Sequence, residues 1–559
     1  MSAPGADTIN RMRTTPVGVP RTMRLHNMGG LKTLPAGKMV PLAAAGVLRE
    51  DQIRSGPIRF SFAHHEMDEI LLNAVNVRVL AYFVPMLAMA RFNGSMDQLN
   101  QSYEGRPPIA GQPVVPFIET AAFGAHGANS IAKYMGIHGA PTDVLNTSYW
   151  EAYNIIWNYR AKNRSPKLAL RTRLQTDLAP AFWIHDQFSH IVPNFDAASM
   201  DGNVPVQIVN PLMPVKGSVD NRYVPVQLNG TLRTSVNISG SDARTVSHGP
   251  VSNGVQYSGA SQTGNIQHIE GLRADLQNVF AELTASGLSM SLASIELATK
   301  TKAFAEVRKK YNGNDEWVTN LLMDGIYVAE QDLKNPILVG QDRTFFGQSK
   351  RYASDAANMT VSAVDGMTEV QMNIRVPRMN TGGVLMLVAE ITPDQLFERQ
   401  FDPWLDAKSV DDLPQYLRDE LDPEKVEIVK NGWIDVAHAT PNGTFGYAPL
   451  NSKWNVQAMR VGGDLYRPVT NTATDSDRQR LWSAETINPA LATDFYLCTN
   501  LHLKPFKNRN RDPFECTIRG ELMIEGNTVF GGHLIEAHPA NDYQKVLELA
   551  PQNKIEQVV

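Results

Sequence analysis

Cysteine is almost missing: 559 residues contain only Cys498 and Cys516. Two thiols are too few for a disulfide framework or for zinc held by paired cysteines. Each sits among β-like residues, where small buried thiols are common. Charge is sparse as well, at 19% of residues, against about 25% in an average soluble protein. Long apolar runs are absent. The most apolar stretch, 74–92, contains Asn76, Arg78, Pro85 and Arg91, whereas a bilayer span needs ~20 mostly apolar residues. The opening MSAPGADTINRMR has no apolar run of a secretory signal. These absences predict no membrane insertion and synthesis in a reducing cytoplasm.

Catalytic signatures are absent too. There is no G-x-x-x-x-G-K-[ST], no G-x-S-x-G and no H-E-x-x-H. His64-His65-Glu66-Met67-Asp68 lacks the second histidine at i+4, and on a strand its two imidazoles point to opposite sides. His185-Asp186 has the form of a His–carboxylate dyad, with no nucleophile in local context. A triad assembled from distant residues stays open. The expectation is no enzyme, no cofactor, and no catalytic or metal-ligating residue.

What is present is a 43% apolar content, enough for a sizeable core, and a net charge of 52 − 57 = −5. Length alone suggests three or four domains, although all-β proteins with long insertions exceed that scale. A mildly acidic chain is no bulk nucleic-acid binder, so any such contact must come from local basic patches. Residues 1–38 form one, with Arg11, Arg13, Arg21, Arg24, Lys32 and Lys38 against Asp7 alone. A second follows 149–162: Lys162, Arg164, Lys167, Arg171 and Arg173. A third is Lys504-Pro505-Phe506-Lys507-Asn508-Arg509-Asn510-Arg511. Its cations suit phosphates and Phe506 suits stacking on an unpaired base. A solvated tail or loop would have the same composition.

Along the chain, residues 1–33 read as a basic arm without periodicity. Residues 75–83 alternate with β-branched residues, and Pro85 ends that ladder. Residues 94–148 read as long connections with a helix near 117–135. YWEAYNIIWNYRAK, 149–162, is a helix, capped by Asn146, Thr147 or Ser148. Its stripe of Trp150, Tyr153, Ile156, Trp157 and Arg160 is a core face or a base-stacking platform. In 200–268 charge and aromatics thin out. Val204-Pro205-Val206-Gln207 returns as Val224-Pro225-Val226-Gln227, and Asn229-Gly230 follows as a hairpin turn. This reads as an exposed β-excursion. Two helices are expected over 271–311, a hairpin over 368–391 around Thr381-Gly382-Gly383, an acidic Pro-interrupted stretch over 402–430, and a closing strand pair over 514–537.

One ordered set of motifs goes further. Leu34 to Gly94 holds a PAG-x-x-VP turn, a VL-x-x-D step, a Met67-Asp68 pair, Tyr82-Phe83-Val84-Pro85 and Arg91-Phe92-x-Gly94. Tyr153-Asn154-Ile155-Ile156-Trp157-Asn158 and Phe445-Gly446-Tyr447 with Trp454 follow in order. Together they resemble the major capsid protein of the microviruses, small tailless icosahedral phages with single-stranded DNA. The family's arginine before the helix motif is Glu151 here, and 402–430 and 200–268 depart from its pattern.

The resemblance implies a mainly β fold: an eight-stranded antiparallel jelly roll with long helix- and loop-containing insertions. It implies a basic N-terminal arm, 1–33, and a single capsid domain, 34–559. It implies a structural protein that self-assembles into a T=1 icosahedral shell around circular single-stranded DNA, assembled in the host cytoplasm and found in the virion. Its partners would be copies of itself, the DNA genome and a host surface receptor, with minor capsid, DNA-binding or pilot proteins left open. The DNA-facing candidates are Arg11, Arg13, Arg21, Arg24, Lys162, Arg164, Lys504, Phe506, Lys507, Arg509 and Arg511. The insertion would make a threefold projection for host recognition, marked by Val204, Val224, Asn229 and Gly230. The alternatives are a β-rich carbohydrate-binding or adhesion protein and a jelly-roll enzyme.

Overall fold

The computed structural model describes residues 18–67, 69–125, 131–184, 191–192, 316–326, 332–352, 361–421, 425–455, 460–466, 480–483, 488–499, 501–529, 544 and 548, and the backbone of short strands between 212 and 282. It divides into two compact units, Met1–Phe195 with Tyr311–Val559, and Asp196–Lys310.

The first unit is mainly β and antiparallel. Its principal strands are β1 (Thr22–Leu34), β2 (Met39–Val47), β3 (Gln52–Ser55), β4 (Pro57–Met67), β5 (Val75–Pro85), β6 (Ile337–Phe345), β7 (Gly347–Tyr352), β8 (Val361–Asn373), β9 (Gly383–Pro393) and β10 (Phe514–Gly526). One sheet has the order β1-β10-β4-β8-β7, with β3 also beside β10; the other has the order β6-β5-β9-β2. The chain passes back and forth between them: β1, β3, β4, β7, β8 and β10 lie in the first sheet, and β2, β5, β6 and β9 in the second. Residues 86–336 intervene between β5 and β6, and 394–513 between β9 and β10.

The two sheets share one hydrophobic core. The first sheet alternates. Ile58, Phe60, Phe62 and His64 of β4 turn inward, while Arg59, Ser61 and Ala63 are less covered. In the second sheet the central strands β5 and β9 are buried on both faces, β9 at every position, while the edge strand β6 is partly exposed. The sheet's other side is covered by the helix Ser148–Arg164, whose Trp150, Tyr153, Ile156 and Trp157 are buried. Tyr153 donates its hydroxyl to the Met39 carbonyl at 2.6 Å and accepts from Ala179 N at 2.9 Å. The aromatic stripe is therefore a core face and not a platform for bases. Polar residues inside the two-sided β5 are kept by partners, as buried polar groups must be. Asn76 donates to Asp394 at 2.7 Å, and Arg78 donates to Glu390 at 3.0 Å.

Several expectations need correction. Residues 22–34 are strand β1, paired with β10 at thirteen positions from Thr22↔Gly526 to Leu34↔Phe514. A remote partner imposes this edge strand, which leaves no strong local pattern. The expected 368–391 hairpin is not one. β8 pairs with β7 and β4, β9 pairs with β5 and β2, and Thr381-Gly382-Gly383 leads from one sheet to the other. The expected helix near 117–135 is reduced to Ile131–Met135, because Thr120–Ala122 pairs with Val144–Asn146 instead. The first half of the closing pair is β10; most of the second half lies outside the described residues.

The Asp196–Lys310 unit extends beyond the expected 200–268 excursion. Gln227–Leu228 pairs with Thr231–Leu232, Leu228 standing opposite Thr231, so that Asn229-Gly230 connects them. Ser235–Ile238 pairs with Arg244–Ser247, which also pairs with Gln256–Tyr257. Phe280–Glu282, expected as helix, pairs as a strand with Leu212–Pro214: long-range pairing overrides a short periodic signal. Val204, Val224, Asn229, Gly230 and most of 271–311 lie outside the described residues.

Candidate nucleic-acid interface

The strongest basic surface begins with an anchor. Residues 504–511 lead into β10 beside the end of β4. Lys507 N donates to the Glu66 carbonyl at 3.0 Å, and Phe506 bridges to Met67. Phe506 is buried. It packs edge-on against Trp482 at 5.2 Å and Phe514 at 5.6 Å between ring centroids. It cannot stack a base, which corrects the expectation drawn from its cationic neighbours. With Phe506 and Pro505 turned inward, Lys504, Lys507, Arg509 and Arg511 are exposed. Arg509 donates to the Lys504 carbonyl at 3.0 Å and Asn510 N donates to Asn508 Oδ1 at 3.1 Å, which gives the loop a defined shape. Lys507 lies 3.8 Å from Glu66. Lys504, Arg509 and Arg511 form no ion pair among the described residues.

The other candidates separate. Arg11 and Arg13 lie outside the described residues. Arg21 and Arg24 are structural. Arg21 donates to Glu525 Oε1 at 3.1 Å and to the Glu525 carbonyl at 2.9 Å. Arg24 donates to the buried Asp51 at 2.6 Å. Both arginines therefore tie β1 to the body of the first sheet, with donors engaged by the Glu525 and Asp51 carboxylates, the Glu50 and Glu525 carbonyls and the Asn527 amide. Lys32 is half-buried, and burial lowers its pKa to about 8. Lys162 and Arg164 are exposed in the last turn of the long helix and just past its core face. Arg171 and Arg173, from the same run, are bound to Asp177 and Glu119.

Two buried ionic groups, by contrast, leave no local sequence signal. Glu390 of β9 accepts from Arg160 at 2.6 and 2.9 Å and from Arg78 at 3.0 Å. Burial alone would raise its pKa; the two guanidiniums outweigh burial and hold it at about 2. Glu151, at the position where the family resemblance departs, is fully buried. It accepts from Arg91 at 2.6 Å, and Arg173 lies 3.5 Å away. A third feature is exposed. Arg59 of β4 stands directly opposite Arg519 of β10 on the less covered side of the first sheet. Neither forms an ion pair among the described residues. A sequence separation of hundreds of residues hides this pairing.

The arrangement offers fixed cations on rigid loops and helix ends. Among the described residues a hydroxyl meets an imidazole at Thr440 Oγ1 and His438 Nδ1, 3.3 Å apart on an exposed turn, where Thr440 N also donates to that nitrogen at 3.0 Å. His64 is buried with Nε2 unpartnered, and its pKa is lowered by burial. Gly366 packs on that imidazole so closely that any Cβ would collide with it. Both thiols are buried, and burial pushes their pKa values up to about 12. No helix among the described residues is long and apolar enough to cross a membrane. No protein-family model matches the chain, and no curated protein matches it.

Proposed function

We propose that this chain is a structural major capsid protein that self-assembles into a small T=1 icosahedral shell around circular single-stranded DNA. The observation that carries the reading is the strand order. Leaving out β3 and β7 as extensions, eight strands remain, ordered β1-β10-β4-β8 and β2-β9-β5-β6. The chain changes sheet at every step but the one from β5 to β6. That order supports reading the fold as an eight-stranded jelly roll, an architecture used by viral capsids and also by lectins and cupins.

The motif resemblance selects the capsid among these, and its residues have physical work in the fold. Gly37 of the PAG turn has φ +69°, and a Cβ there would lie 2.6 Å from Cys498 Sγ. Asp51 of the VL-x-x-D step accepts from Leu48 N at 2.8 Å and from Arg24. Arg91 of the R-F-x-G step is the partner of Glu151. The exposed cations Lys162, Lys504, Lys507, Arg509 and Arg511, with Arg164, are the DNA-facing set in this reading. The segment 200–268, within the separate Asp196–Lys310 unit, is the outward threefold projection and carries host recognition.

Electron microscopy of the purified, concentrated protein tests the reading. Closed particles of uniform size are expected. A protein that stays monomeric across concentration and salt, or that binds a glycan as a monomer, contradicts it.

A further inference from the structure

The stretch 401–421 combines two properties that rarely share a surface. It carries Asp402, Asp406, Asp411, Asp412, Asp419 and Glu420 against Lys408 and Arg418, a net charge of 2 − 6 = −4 out of the chain's −5. It also turns large apolar side chains outward: Trp404 is 67% exposed, Leu405 77%, Tyr416 85% and Leu421 73%, with Val410 and Leu417 alongside. Scattered exposed apolar residues need no explanation, but a cluster of this size marks an interaction surface.

The exposure is built in by local structure. Asp402 caps the turn Pro403–Asp406 by accepting from Trp404 N at 2.8 Å. Ser409 and Asp412 form a capping box at Val410–Asp412. Arg418 donates to the Leu413 carbonyl at 2.7 Å. Asn451 donates to Asp419 at 2.7 Å and moors the arm to the strand pair Val426–Lys430 and Thr444–Pro449. Several polar groups are thus held within the arm, while Leu405, Tyr416 and Leu421 stay exposed; Trp404 is exposed too, with its ring edge-on to Trp454 at 6.4 Å between centroids.

We propose that this arm is an intersubunit clamp that seats on a second copy of the chain. The inference rests on the self-assembly reading above and names the surface through which it works. Charge disfavours DNA as the occupant: the segment itself carries −4, and even with Asp402 and Glu420 offset by Arg460 and Lys425 it stays anionic and is repelled by phosphates. It calls for a cationic acceptor with apolar neighbours. The solvent side of the first sheet has both: Arg59 and Arg519 stand opposite each other, where like charges destabilise a strand pair unless an anion joins them. Leu31 and Met367 are exposed on the same side, opposite Thr517 and Ala63. Glu369 and Glu521 flank the pair without joining it in an ion pair among the described residues, so the groups of an incoming arm that can are Asp411, which has no ion pair among the described residues, and Glu420, which lies 3.4 Å from Lys425 but keeps an exposed carboxylate. Arm and sheet face are different surfaces, so the contact is head-to-tail, the type that generates rings when its rotation closes and open filaments when it does not.

The test uses the full chain in three forms: unaltered, with Tyr416→Ser and Leu417→Ser, and with Asp411→Lys and Glu420→Lys. Circular dichroism and thermal melting first establish that each is folded. The expected result is a folded protein whose critical concentration for assembly rises about tenfold or more, since exposed aromatic anchors dominate interfaces. Adding Arg59→Glu and Arg519→Glu to the lysine variant should restore assembly. A photo-cross-linker at 416 should join two copies, at the β4–β10 face. If the unaltered chain assembles and both arm variants assemble equally well, the clamp is overturned while the shell reading stands. If cross-links form only within one chain, the clamp is overturned as well. If the unaltered chain never assembles, the shell reading falls and takes the clamp with it.

Discussion

Glu151 illustrates how much one residue can carry without sequence warning. Its carboxylate is fully buried and holds Arg91, itself nearly buried, at 2.6 Å. Removing one partner of a buried pair leaves a charge that water cannot reach, at a cost of about 3–5 kcal/mol. Glu119 lies 3.7 Å from Arg91 and takes up part of that cost. Glu151→Ala is therefore expected to destabilise the protein by about 3 kcal/mol in urea unfolding, and Glu151→Arg by more. In the sequence, Glu151 marks only a departure from a family pattern. The compensating partners lie in other segments, which a linear reading does not bring together.

Glu390 makes a pH prediction at the same scale. Its folded pKa is held at about 2, against an ordinary 4.5. A depressed carboxylate stabilises the fold fully above its unfolded pKa, and that stability is lost as pH falls through the folded value. Unfolding free energy should therefore decline between about pH 4.5 and pH 2. Glu390→Gln should flatten this part of the profile and lower stability at neutral pH. An unchanged slope in the variant would rule out Glu390 as its source.

At the scale of elements, the legible parts are those whose partners are close in sequence or whose faces are unambiguous. The strand 75–85 declares itself by β-branched alternation and a terminal proline, and the helix 148–164 by its aromatic stripe. β1 does not. It is an edge strand containing Gly29-Gly30, with much of its length exposed, so burial writes no pattern into it. The 368–391 discrepancy has a different cause: two strands flanking a Gly-rich turn look alike whether they pair with each other or enter separate sheets.

The loop 504–511 is half legible. Its cations are exposed, as their composition suggests, but the phenylalanine among them is a core residue. The two classes should separate in experiment. Phe506→Ala should cost about 3–5 kcal/mol of stability. Changing Lys504, Lys507, Arg509 and Arg511 to alanine should leave stability nearly unchanged. On the proposed capsid reading it should also weaken DNA retention and flatten its salt dependence, by roughly 0.7 in log–log slope for each phosphate no longer neutralised. Normal DNA content in the four-alanine particles would remove the loop from the interface.

At the scale of the whole molecule, the Asp196–Lys310 unit is an insertion between β5 and β6 with strand pairs of its own. Long surface insertions add little loop-closure cost. Deleting roughly 205–265 should leave a folded first unit by circular dichroism and, on the proposed capsid reading, abolish adsorption to the host. A deletion variant that adsorbs normally would remove the recognition role.

The pairing of β1 with β10 has a consequence in time. Arg21 and Glu525 are bonded across a separation of 504 residues. Contacts this remote form slowly, because a long loop must close before they repay its entropy. On the ribosome they also have to wait. At ~5–20 residues per second, roughly half a minute to a minute and a half passes between the synthesis of one strand and that of its partner. Until then β1 has no ladder to join, and the first sheet lacks the strand beside β4. A nascent chain is therefore unable to present the finished sheet surface, and on the clamp proposal copies still being translated are kept from engaging one another through it.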